Sequence, residues 1–276
     1  MTANRKLCIL ALGAHPDDCD IKAAGTAVKY ARAGHRVVFV SLTNGVTGHH
    51  EIGGIELVTR RKQEAEAAAA IAGIEYMVLD IPSGELMPDL ATRRRMITLL
   101  REIKPDLVMS HRPNDYHPDH RAAAELVQDA CYLATVPNNV PLTAALMEMP
   151  VVVYFHDGFQ KPVPFSADVA LSIDDVIDTK IDMLHCHTSQ MYEWLPYNSG
   201  NLEQVPPDAK ERRDWLAKQR KPASKLVADE SREALRRLYG AERGTAVRYA
   251  ESYEACEYGK KLTEEMVTWL FPFFEK

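Results

Sequence analysis

No stretch of the 276 residues stays apolar for the roughly 18–20 positions a membrane-spanning helix needs, so no transmembrane segment is expected. Cysteine is sparse. Cys8, Cys19, Cys131, Cys186 and Cys256 are odd in number and widely dispersed, and none forms a Cys-x-x-Cys pair. That argues against a disulfide framework and against a cysteine-built zinc site. Positive charge is not in excess either. The 33 Lys and Arg face 39 Asp and Glu, a net charge of -6, which leaves no basic footprint for nucleic acid or an anionic membrane. Phosphate-cradling loops are missing: no Gly-x-Gly-x-x-Gly follows the first apolar run, and no Gly-x-x-x-x-Gly-Lys-Ser/Thr occurs. The first six residues lack the layout of a secretory signal. The expectation is a soluble, cytoplasmic protein.

What is present is an ordinary globular composition, 46% hydrophobic and 26% charged, long enough to bury a sizeable core. Short apolar runs alternate with helical patterns. Strands are predicted at 7–13, 36–42, 76–80, 106–111, 151–155 and 167–173. Helices are predicted within 25–34 and at 56–72 (stopped by Gly73), 89–103, 121–134 and 180–191. This alternation predicts an α/β fold: a Rossmann-like, doubly wound, mainly parallel sheet with helices on both faces and a helical C-terminal extension. The whole chain, 1–276, reads as one domain, with a core over about 5–195 and the extension over about 200–276. The Lys-, Arg- and Glu-rich stretch 208–239 reads as solvated helix surface.

Two clusters carry the chemistry. His15-Pro16-Asp17-Asp18 ends the first apolar run, and His117-Pro118-Asp119-His120 follows the fourth. Open α/β sheets place their ligands at the carboxyl ends of strands, and strands one and four commonly flank the point where chain order reverses. His15 and Asp18, three residues apart across a proline turn, can face one ion, and the pair His117/His120 offers a third ligand. Asp17 is left over. A carboxylate beside a ligand can accept a proton from water whose pKa an ion has lowered toward ~7. The remaining histidine can steady an oxyanion or protonate a leaving group. Asn44 and Tyr116 flank the predicted crevice and are candidates for substrate contact.

Ala14-His15-Pro16-Asp17-Asp18, with Gly25-Thr26 and Leu42-Thr43-Asn44-Gly45 after it, resembles the PIG-L/LmbE family of metal-dependent de-N-acetylases. Arg60-Arg61 with Glu64-Ala65, His117-Pro118-Asp119-His120, and the late Lys180, His187 and Ser189-Gln190 strengthen the resemblance, which spans about residues 7–190. The resemblance implies zinc held by His15, Asp18 and His120, with Asp17 as general base. It makes His117 the electrophilic or general-acid histidine, oriented through Asp119, Arg61 a substrate-binding arginine, and His187 a residue close to the site. Fe2+ suits the same two nitrogens and one oxygen.

The expected activity is removal of an N-acetyl or related N-acyl group from an amino sugar or glycoside. One alternative is a thiol-conjugate amidase or other C–N hydrolase using the same ion. Another, of a different class, is a non-catalytic nucleotide- or sugar-binding module. The expected partner is a small N-acetylated sugar or glycoside, with no nucleic acid, and a homo-oligomer is left open. Tyr192, Trp194 and Tyr197 are aromatics that could stack on a sugar ring or pack as core.

Overall fold

The computed structural model describes residues 5–274; the amino-terminal residues 1–4 weighed above for a signal lie outside them. Seven strands form one sheet: β1 (Cys8–Gly13), β2 (Arg36–Thr43), β3 (Glu75–Ile81), β4 (Leu107–Ser110), β5 (Val151–Phe155), β6 (Val169–Ser172) and β7 (Ala250–Ala255). Their order is β3-β2-β1-β4-β5-β7-β6. β1 pairs in parallel with β2 and with β4, placing Leu12 opposite Ser110, so the chain leaves these two strands side by side. β7 runs antiparallel to both β5 and β6.

Helices α1 (Asp18–Arg32), α2 (Gly54–Ala72), α3 (Leu90–Ile103), α4 (Pro118–Leu133) and α5 (Ile177–Cys186) cover the sheet. The two faces follow from strand alternation. Ile9 and Ala11 of β1 join one core with Ala24 and Val28 of α1, whereas Leu10 and Leu12 join the other with Leu100 of α3 and Leu126 of α4. β-branched residues dominate β2 and β5, as buried parallel strands require. α2 stops at Gly73, whose φ of 67° is the left-handed turn expected of a glycine there.

Beyond α5, a π-helical turn spans Ser189–Trp194 and continues as α6 (Leu195–Asn198). α7 (Ala209–Glu230), α8 (Arg232–Tyr239), α9 (Ala241–Ala246) and α10 (Glu264–Leu270) follow.

Three expectations shift. The first helix begins at Asp18, not near Gly25, which places Asp18 in its first turn. The helix after the second cluster begins at Pro118 rather than Arg121, because proline is favoured at the first helical position and His117 caps it. The segment read as purely helical supplies β7. Its sequence Ala-Glu-Ser-Tyr-Glu-Ala looks like surface, yet Glu251 and Ser252 are buried.

Candidate functional site

The carboxyl ends of β1 to β5 open onto one cleft of about 440 Å³. After β1 it receives His15, Asp17 and Asp18, and after β2 Thr47 and Gly48. Ser83 and Gly84 come after β3, Asp115, Tyr116, His117 and His120 after β4, and Asp157, Gly158 and Phe159 after β5. The π-helical turn closes it with Gln190 and Trp194. π-Turns are energetically poor and recur at functional sites.

At the floor of the cleft three ligand atoms converge. His15 Nδ1 lies 3.3 Å from His120 Nε2 and 3.4 Å from Asp18 Oδ2, and His120 Nε2 lies 3.5 Å from Asp18 Oδ2. Zinc bonds of about 2.0–2.1 Å at tetrahedral angles imply ligand separations of roughly 3.3–3.5 Å. Two imidazole nitrogens and a carboxylate oxygen at that spacing therefore fit one divalent ion. Each histidine is fixed through its other nitrogen. His15 Nε2 sits 3.1 Å from Asp119 Oδ2, and His120 Nδ1 sits 3.1 Å from Asp115 Oδ2 in an ion-pair contact too bent for a straight hydrogen bond. Such outer carboxylates orient metal-binding imidazoles and raise their basicity.

His117 and His111 also lie within reach of His120, giving two further groupings, His15/His117/His120 and Asp18/His111/His120. His117 Nδ1 is occupied, because it accepts the Asp119 backbone N–H at 3.1 Å and thereby caps α4. The proton of the neutral ring is then on Nε2. Burial, reinforced by His15 and His120, holds His117 below the ordinary histidine range. His111 was not singled out from the sequence, although it follows β4 directly. Its Nε2 lies 3.1 Å from Asp18 Oδ2, and burial together with His120 pushes it down to about 4. The same Nε2 also lies 3.1 Å from the Ala14 backbone N–H, which donates to it.

Asp17 stands outside the three-atom set. Its Oδ1 accepts from Arg61 Nη2 at 2.8 Å, with both side chains buried, and its Oδ2 has no protein partner among the described residues. Arg61 is pressed against the loop after β2. A Cβ on Gly45, whose φ is 76°, would stand 2.6 Å from the guanidinium, so only glycine fits. The neighbouring Arg60, not Arg61, pairs with Glu64 at 3.2 Å and with Glu193 at 2.5 Å.

The remaining candidates divide. Tyr116, 73% exposed, lines the cleft. Asn44 does not: its Oδ1 accepts from Val46 N and its side chain reaches Asp80 O, so it shapes the loop. His187 is fully buried, 3.2 Å from Asp20 Oδ2 and behind the cleft wall. Asp119 meets the His117 ring through its backbone N–H, not through its carboxylate. Its carboxylate holds His15 and accepts from the N–H groups of Gly84 and Leu86. The physical reason is helical geometry: at the second helical position its side chain turns toward the β3 loop, and only its backbone N–H faces His117.

Fold and site together define a mainly parallel α/β protein with a histidine–carboxylate cluster able to hold one metal ion in a cleft at its switch point. The chain belongs to the PIG-L family. The family model described as GlcNAc-PI de-N-acetylase matches residues 10–131. Diacetylchitobiose deacetylase of Thermococcus kodakarensis is 32% identical over 202 residues, 68% of this chain and 74% of the relative. A 4-oxalmesaconate hydratase of Pseudomonas putida is 27% identical over 202 residues, 70% of this chain and 78% of the relative. In fold, the chain matches N,N'-diacetylchitobiose deacetylase of Pyrococcus horikoshii with a TM-score of 0.69 at 21% identity, covering 91% of this chain and 84% of that one. No helix among the described residues is long and apolar enough to cross a membrane.

Proposed function

We propose that this protein is a metal-dependent amide hydrolase that removes an N-acetyl group from an amino sugar or glycoside. The observation that carries the reading is the three-atom ligand set with an uncommitted carboxylate oxygen, Asp17 Oδ2, beside it in a sugar-sized cleft. The relative named as a deacetylase supports it. A hydratase also stands among the relatives, so the reaction rests on this site and not on family membership alone.

His15, Asp18 and His120 would hold the ion, Zn2+ by preference, with Fe2+ suited to the same donors. When bound, it supplies Lewis acidity and lowers the pKa of coordinated water. Asp17 takes the proton at Oδ2, while Arg61 fixes the carboxylate through Oδ1. His117 presents its Nε2 proton to the carbonyl oxygen as that atom gains charge. Asp17, once protonated, is placed to return the proton to the leaving nitrogen.

The sugar ring is assigned to the aromatic wall. Trp194 lines the cleft, stacked at 6.0 Å on Tyr197, whose ring lies 3.9 Å from His50 and 7° from parallel with it. A rigid ladder of this kind holds an indole ready for the apolar face of a pyranose. The free thiols among the described residues suit a reducing compartment, and the cytoplasm is the assigned location.

The decisive experiment follows free amine and acetate released from N,N'-diacetylchitobiose and N-acetylglucosamine by the zinc-loaded protein. Release of both products supports the reading. No release from any N-acetylated sugar, with water instead added to an unsaturated acid, would replace it by a hydratase. Two variants refine it. His120→Ala should fall from about one bound ion per chain to less than a tenth, measured by elemental analysis, because the neighbouring histidines cannot reproduce the triangle. Trp194→Ala should raise KM about tenfold, roughly 1.4 kcal/mol, with kcat within about twofold. A change confined to kcat would remove Trp194 from sugar binding.

A further inference from the structure

One cation in the cleft, Lys22, has no anionic partner among the described residues. Lys22 lies one helical turn beyond Asp18 on α1, so the two side chains project from the same face and both line the cleft. Lys22 Nζ donates to the carbonyl of His156 at 2.8 Å. Among the described residues it makes no other hydrogen bond and no ion pair. The acids around it are committed elsewhere. Asp157 Oδ2 is 2.9 Å from Arg112 Nε, Asp115 Oδ2 is 3.1 Å from His120 Nδ1, and Asp18 Oδ2 belongs to the ligand triangle. Arg61, the other cation lining the cleft, is bound to Asp17.

We propose that Lys22 anchors a carboxylate of the substrate, so that the natural substrate is an N-acyl sugar bearing an acidic group, such as a uronic acid or an acid-substituted glycoside. This rests on the deacetylase reading for the sugar, not for the anion. Lys22 is half-buried, and an ammonium even partly withdrawn from water without a counter-ion is costly. Burial here lowers the Lys22 pKa and outweighs the attraction of Asp18, Asp157 and Asp115. The surrounding acids thus leave the charge undercompensated, and a ligand anion completes it. Three N–H donors less one leave two, which a carboxylate's two oxygens satisfy. A single unpaired charge matches a monoanion better than a doubly charged phosphate.

The test compares N-acetylglucosamine with two acids built on it, its C6 uronic acid and N-acetylmuramic acid. The full-length, zinc-loaded protein is used for turnover, and the zinc-loaded Asp17→Asn variant for calorimetric binding. The wild type should favour at least one acid over the neutral sugar by tenfold or more in kcat/KM. Lys22→Gln should cut that ratio at least tenfold, and Lys22→Arg should restore most of it. A wild type that treats acid and neutral sugar alike, or a ratio unmoved in Lys22→Gln, overturns the proposal, as does failure of both acids to bind. An acid that binds in a Lys22-dependent way but is never deacetylated leaves the anion anchor standing and removes the deacetylase reading.

Discussion

Replacing Asp17 with asparagine is expected to lower turnover about 1,000-fold, within the roughly 10²–10⁴ that a positioned general base contributes, while the protein keeps its full metal content. The two halves of that result separate the role of Asp17 from that of its neighbours. Asp17 contributes no atom to the triangle of His15, Asp18 and His120, so the ligands survive the change. An asparagine oxygen can still accept from Arg61 Nη2, and the side chain keeps its place. What it cannot do is take a proton. The variant also leaves the buried Arg61 guanidinium without its anion, so some loss of thermal stability accompanies the loss of turnover. Amine release, elemental analysis and a melting curve on one preparation check all three. Activity within tenfold of wild type would take Asp17 out of the chemistry. Loss of the ion would mean that Asp17 is itself a ligand.

The sheet and the meeting of the two histidine clusters were legible because they rest on local signals. β-Branched runs announced β2 and β5, Gly73 marked the end of α2, and the doubly wound order implied that strands one and four are neighbours, as β1 and β4 are. The rest depends on direction and on distant partners, which no window of sequence contains. The family resemblance implied that Asp119 orients His117. Only the helix start at Pro118 shows that its carboxylate turns to His15. Arg60 and Arg61 are adjacent in α2, yet 100° of helical rotation sends one to Glu193 and the other to Asp17. His187 sits in a recognisable motif but is directed into the interior against Asp20. Nothing in the sequence singled out Lys22. Its placement in the cleft follows from α1 beginning at Asp18, and its lack of a counter-ion from pairings made by residues 90 or more positions away.

The same limit explains β7, and there it leads to a large effect on stability. Glu251 is 3% exposed and receives four donors: Lys180 Nζ at 2.7 Å, Gly25 N at 2.9 Å, Thr26 N at 2.7 Å and, more weakly, the Tyr253 hydroxyl at 3.4 Å. Lys180 Nζ also donates to Ile21 O at 2.8 Å. One carboxylate thereby ties β7 to α5 and to the middle of α1. Gly25 permits the approach, since a Cβ there would stand 2.6 Å from Ile173. Glu251→Ala strands a buried ammonium and two backbone N–H groups. Breaking a buried pair from one side costs about 3–5 kcal/mol, against a total stability of about 5–15 kcal/mol. The melting temperature should fall by about 10 °C. Glu251→Gln should be nearly as damaging, because Gly25 N and Thr26 N donate to different carboxylate oxygens: the single amide oxygen accepts one of them, the NH2 opposes the other, and Lys180 is left without an anion. Lys180→Met combined with Glu251→Gln should recover part of the loss, since the uncompensated charge is then gone and one of the two N–H groups keeps an acceptor. Because α1 carries both Asp18 and Lys22, the single variants should also bind the ion more weakly, whereas a surface change such as Glu66→Ala should not. A melting point for Glu251→Ala within about 2 °C of wild type would show that the carboxylate is dispensable and that α1 is held by its apolar face alone.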